Sequence, residues 1–142
     1  MRSQRMAAHA LERVKRNGFE PVRGGARQGG ERDVNKKYAT QCMKFPSLLH
    51  DAGGVQAVTF VLARGKEAGV LYLDDLAAAV GHADGRALHR ALRGEGPPEA
   101  QALGRYLSLT SELAEAAQWF RRMCQAELKV DETELGDAGE AE

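Results

Sequence analysis

Residues 36–66 read KKYATQCMKFPSLLHDAGGVQAVTFVLARGK, and this stretch decides the fold. It holds the densest apolar run of the chain, at Val55, Val58, Phe60, Val61 and Leu62, and both of its ends are basic. Upstream of Pro46, Val34, Tyr38, Cys42 and Phe45 recur at steps of four, four and three, which lines them along one helix face. The proline ring disfavours the α conformation in the residue before it, so this first piece is expected to stop or kink at Phe45. Beyond it, Leu48, Leu49, Val55, Val58, Thr59 and Leu62 keep the helical period, while Phe60 and Val61 widen the apolar arc. A helix apolar over so much of its circumference has to be covered by others. The stretch is therefore expected to be the central hairpin of a helical bundle, with Lys36, Lys37 and Lys44 before its buried part and Arg64 and Lys66 after it.

Outward from this hairpin the same period continues. Ser3 is placed to cap a helix over residues 4–17, with Met6, Ala7, Ala10, Leu11 and Val14 on one face. Residues 18–30, GFEPVRGGARQGG, are expected to be a Gly/Arg-rich loop. They lack both the Gly-Lys-Ser/Thr ending of a phosphate-binding loop and a preceding strand, so their character is closer to RNA-contacting segments or a passive linker. After a turn over 65–69, Asp74 or Asp75 is expected to open a short helix over 76–80, and another covers about 86–92. The longest pattern runs from Glu99 to Lys129, with Leu103, Tyr106, Leu107, Leu109, Leu113, Ala116, Ala117, Phe120, Cys124 and Leu128 on its apolar face. Such a helix is roughly 45 Å long. The expectation is an all-α, single-domain bundle of about five to six helices over residues 1–130, followed by an acidic, disordered tail over 131–142.

Composition agrees. Aromatic residues make up 6% of the 142, and strand-forming types are scarce beside the helix formers Ala, Leu, Glu and Arg. No apolar run approaches the ~20 residues needed to cross a bilayer, and residues 1–16 lack the apolar centre of a signal peptide, so a cytoplasmic protein is expected. Cys42 and Cys124, on apolar helix faces without paired spacing, are expected to be buried free thiols.

The net charge of zero conceals a split. Residues 1–66 carry 13 Lys or Arg against 5 Asp or Glu, and residues 67–142 carry 7 against 15. Such polarity suits a polyanion on one surface and a basic neighbour on another, unless the halves interleave in the fold and cancel. Arg32, Lys36 and Lys37 are expected to share one exposed sector of a helix, away from Val34, Tyr38 and Cys42. If the fold brings Lys44 and Arg64 beside them, the resulting stripe neutralises phosphates without reading sequence. Arg27 and Lys66 extend this series of candidate RNA-binding residues.

No catalytic arrangement emerges. His50 and Asp51 are adjacent and on a helix point about 100° apart. His82, Asp84 and His89 could meet across a turn, but without a fourth ligand or a known spacing they make a weak metal site. Trp119 suits core or subunit-interface packing better than base stacking, and Arg121 and Arg122 flank it.

The order of residues 38–66, together with YLSLTSELAEAAQWFRRMCQAEL at 106–128, resembles the small, all-helical subunit of type III-B CRISPR RNA-guided effector complexes, the Cmr small subunit. The matching positions are Tyr38, Pro46, Gly53 or Gly54, Phe60 and Lys66, then Tyr106, Thr110, Glu112, Trp119, Arg121 and Arg122. The resemblance implies a non-catalytic subunit of antiviral defence, without metal, cofactor or small-molecule substrate. Such a subunit stacks on copies of itself and on other Cmr subunits, and lines the channel that holds target RNA against the guide. The alternatives are a small metal-dependent nuclease built on residues 74–89 and a helical adaptor without nucleic-acid contact.

Overall fold

The computed structural model describes residues 2–17, 29–94 and 99–128, with side chains over 2–17, 36–94 and 104–127. Within them the chain forms α1 (Arg2–Asn17), α2 (Gly29–Ala52), α3 (Gly54–Arg64), α4 (Lys66–Ala79), α5 (Gly85–Leu92) and α6 (Glu99–Leu128). Arg27 and the tail after Leu128 lie outside the described residues, and so does most of the Gly/Arg-rich segment.

The central hairpin is present, but its hinge is not at the proline. Pro46 lies inside α2, with Phe45 and Leu49 buried on either side of it. Burying those two side chains yields about 1.5–3 kcal/mol each, enough to offset the ~3 kcal/mol that an interior proline costs a helix. The chain bends instead at Gly53, whose φ of 86° belongs to the left-handed region that glycine tolerates. Hydrogen bonding continues through the bend: the Gly53 amide donates to the Leu49 carbonyl at 2.9 Å, and the Ala57 amide donates to the Gly53 carbonyl at 3.0 Å.

The turn expected over 65–69 is also replaced by helix. α4 starts immediately after Gly65, takes in Gly69, and carries Asp74 and Asp75 in its second half rather than at its start. Two close approaches explain this. A Cβ at Gly65 would lie 2.7 Å from both the Gly69 Cα and the Val61 carbonyl oxygen, so only glycine lets α3 and α4 meet so tightly. Asp74, far from opening a helix itself, accepts the Gly85 amide at 2.8 Å and ties α4 to the start of α5.

Tyr72 of α4 is the centre of the core. Tyr38 and Phe45 of α2 and Phe120 of α6 meet its ring edge-on at centroid distances of 5.8, 5.5 and 5.8 Å, within the favoured range for aromatic pairs. α6 runs antiparallel to α2, its Arg121 reaching the Met43 carbonyl at 3.4 Å while Cys124 lies against Ala39. Cys42 and Cys124 are buried free thiols, and burial pushes the Cys42 thiol upward, with Cys124 beside it adding to the effect. α1 runs parallel to α6, with Arg2 on Glu115 at 2.7 Å and Lys15 on Glu127 at 3.9 Å. Ser3 is not a cap: its hydroxyl donates to Glu115, and together with Arg2 it holds that carboxyl below its ordinary value.

One polar cluster crosses this apolar interior. Asp75 is 3% exposed, and its carboxylate accepts Tyr38 Oη at 2.7 Å, Asn17 Nδ2 at 2.7 Å and Arg13 at 3.2 Å. His9 lies 2.9 Å from the Asp75 carbonyl. α1, α2 and α4 are thus joined at one residue.

The two buried tyrosines make opposite predictions. The Tyr72 hydroxyl is buried with no hydrogen-bond partner among the described residues, so Tyr72→Phe should be neutral or stabilising in chemical denaturation. Tyr38→Phe removes a donor from a buried carboxylate and should cost about 1–3 kcal/mol. Burial raises the pKa of both phenols, so the folded protein keeps protons that the unfolded chain releases near pH 10. Stability should therefore be unaffected by these groups below about pH 10 and should fall above it, by about 1.4 kcal/mol per pH unit for each phenol. Denaturation midpoints measured between about pH 8 and pH 11 check this, and the slope should be shallower in Tyr72→Phe.

Candidate nucleic-acid interface

Lys37, Gln41, Lys44 and Leu48 follow one another on α2 at steps of four, three and four, so they share a face. Opposite them stand Phe60, Val61 and Arg64 of α3 and Gly65 of the junction. Together with Thr40 and Phe45 these residues enclose a groove of about 260 Å³ between the two helices. Its floor is apolar, formed by Phe45, Leu48 and Val61, while Lys37, Lys44 and Arg64 line the rim. The Thr40 hydroxyl is already engaged with the Lys36 carbonyl at 3.0 Å, and Gln41 is the other uncharged polar side chain lining the groove.

The expected stripe is therefore realised in part. Lys37, Lys44 and Arg64 come together around the groove, although they are seven and twenty residues apart in the chain. Lys36 lies half-buried next to Lys37, and Lys66 is exposed just past Gly65 with a φ of 53°. Neither lines the groove. The Arg32 side chain is outside the described residues. On the other side of the molecule the charge split cancels: Arg2, Arg13 and Lys15 of α1 pair with Glu112, Glu115, Asp75 and Glu127 of the second half. This is the interleaving that the sequence left open.

Phe60 departs from expectation. Read as part of the buried arc, it is 51% exposed on the groove wall, with the Arg64 guanidinium carbon 5.8 Å from its ring centroid. Three residues C-terminal to a buried Ala57 and one before a buried Val61, it sits at the edge of the α3 apolar face; the turn at Gly53 sets which edge faces out. Leu107 of α6, also expected in the core, is 58% exposed.

Among the expected interface residues, Trp119 is half-buried with the Arg122 guanidinium carbon 5.1 Å from its ring centroid, and Arg121 is committed inward to the Met43 carbonyl. Two of the three candidate ligands of the 82–89 region make structural contacts instead. Asp84 caps α5 by accepting the Ala87 amide at 2.8 Å, and His89 Nε2 lies 2.7 Å from the Thr59 hydroxyl of α3. Among the described residues no three His, Cys, Asp or Glu side chains converge on a metal-binding position. His50 and Asp51, expected to point apart, do meet: His50 Nδ1 is 3.2 Å from the Asp51 carboxylate, both highly exposed, because side-chain torsions swing the two groups together.

The two parts of the sequence resemblance also meet in space. A Cβ at Gly54 would come 3.1 Å from the Thr110 hydroxyl and 3.6 Å from that of Tyr106, so α6 crosses the start of α3 where glycine stands. Residues 2–127 match the family described as CRISPR-associated protein (Cas_Cmr5). The chain belongs to the Cmr5 family. It is 41% identical over 125 residues to the CRISPR system Cmr subunit Cmr5 of Thermus thermophilus, covering 88% of this chain and 94% of that protein. Its fold is similar to the crystal structure of a Cmr5 family protein from the same organism, with a TM-score of 0.70 and 37% identity over 89% of this chain and 96% of that one. The Cmr5 bundle is all-helical among the described residues, and no helix there is long and apolar enough to cross a membrane.

Gly65 sets the groove's geometry because it fixes where α3 ends and Arg64 projects. Gly65→Ala should cost about 1–3 kcal/mol by overpacking against Val61 and Gly69, read as a lowered denaturant midpoint. The same substitution at Gly104, where a Cβ meets nothing within 4 Å, should not destabilise.

Proposed function

We propose that this Cmr5 family protein is a non-catalytic structural subunit of a CRISPR Cmr effector complex, and that the α2–α3 groove is the face it lays against RNA. The convergence of Lys37, Lys44 and Arg64 around one groove carries the reading. Cations on a rigid helical scaffold, without a nucleophile, base or metal cluster among them, suit a backbone contact that neutralises phosphates and leaves sequence to base pairing with a guide. The relative from Thermus thermophilus is itself described as a Cmr subunit, which supports other Cmr subunits as partners. Stacking on copies of itself is part of the same proposal. Trp119 and Arg122, stacked on the outer side of α6, are its candidate contact, and a head-to-tail contact of this kind propagates in series.

The test is equilibrium binding of RNA by the full chain and by the assembled complex over a salt series. Affinity should fall linearly on logarithmic axes as salt rises, and Lys37→Glu, Lys44→Glu and Arg64→Glu should each weaken binding and reduce the slope by about 1. Lys15→Glu on α1 should leave both unchanged. Salt-independent binding, or equal losses from Lys15→Glu and Lys44→Glu, would contradict the assignment.

A further inference from the structure

We infer that the α2–α3 groove holds an unpaired RNA base stacked on Phe60, so that this face is selective for single-stranded over duplex RNA. The inference rests on the RNA reading above and adds to it a ligand class and a residue. A surface that merely attracts phosphates needs cations alone, and a paired duplex offers it only backbone, since its base faces are stacked inside. This groove has more. Its rim is cationic, but its floor is apolar, and Phe60 stands at the wall with about half of its surface open to solvent (51%). Leaving a phenylalanine exposed forgoes part of the roughly 1.5–3 kcal/mol its burial would contribute, so the position is not explained by core packing. The neighbouring Val61 and Phe45 are buried, which shows that the same helix pair can cover apolar groups where the fold requires it.

The chemistry of the wall fits a planar, unpaired base. Aromatic side chains flanked by cations are the recurrent platform for single strands, because every base presents a π face whatever its identity. Arg64 already lies over the Phe60 ring, and its planar guanidinium can extend the same stack while meeting a phosphate. Lys37 and Lys44 line the α2 side of the groove, where phosphates on either side of a splayed base would pass, and Gln41 lies between them. An acidic protein segment would satisfy the cations but gives no reason for an exposed ring beneath a guanidinium.

The experiment uses the full chain with a single-stranded RNA carrying a fluorescent adenine analogue, and the same strand annealed to its complement. The single strand should bind more tightly, and its fluorescence should be quenched on binding. Phe60→Ala and Phe60→Leu should each weaken single-strand binding by about ten-fold and abolish the quench, leaving the salt slope, the melting temperature and duplex binding unchanged. Phe60→Trp should retain all of them. If Phe60→Leu binds the single strand as the natural chain does, the wall is an apolar docking surface and the stacking inference is overturned while the RNA reading stands. Equal losses on single strand and duplex overturn it as well. If the natural chain binds neither RNA, both readings fail together.

Discussion

A buried carboxylate orders this bundle. Asp75 has given up nearly all contact with water, and an uncompensated charge in that position would cost several kcal/mol. The compensation comes from two other helices at once: Arg13 and Asn17 at the end of α1, and Tyr38 from the middle of α2. An apolar core tolerates small slips in register, because one methylene contact can be exchanged for another. A carboxylate with defined donors does not, since each misplacement leaves a buried charge or donor unpaired. The aromatic cluster around Tyr72 then fills the space on one side of this fixed point.

The groove inherits its shape from that constraint. Tyr38 ties α2 to α4, and the Gly65–Gly69 approach ties α4 to α3, so both walls are registered against the same helix. Lys37 and Lys44 face the wall that carries Phe60 and Arg64 because α2 cannot rotate or slide without releasing Asp75. α6 closes the bundle from the far side. Its glutamates pair with Arg2 and Lys15 of α1, so part of the positive charge of the N-terminal half is met within the fold.

Much of this was legible in the sequence. The apolar periods of α1, α5 and α6 matched their extents to within a few residues, and α5 is also marked by its capping Asp84 and by Gly94 after it. Cys42 and Cys124 read as buried thiols for the same reason. What misled was local chemistry that tertiary packing overruled. Pro46 suggested a break, yet the burial of Phe45 and Leu49 held the helix through it. Gly65 and Gly69 suggested a turn, yet they are the contact points of two helices. Asp74 and Asp75 looked like helix-start residues because their partners, at Gly85 and at Arg13, Asn17 and Tyr38, are distant in the chain. In the site, the sequence grouped Lys37 with Arg32 and Lys36 on one helix sector and left Lys44 and Arg64 to the fold, because which helices lie side by side is not written in local spacing. Phe60 was not legible, because an aromatic inside a dense apolar run gives no sign of which edge of its helix the fold leaves open.

The surface between α2 and α3 is the proposed RNA face. The most direct measurement is ultraviolet cross-linking of a bound single-stranded RNA to the full chain, with the attachment points located by mass spectrometry. They should fall within residues 37–48 and 60–65. Attachment concentrated on residues 2–17 or 104–127 instead would contradict it.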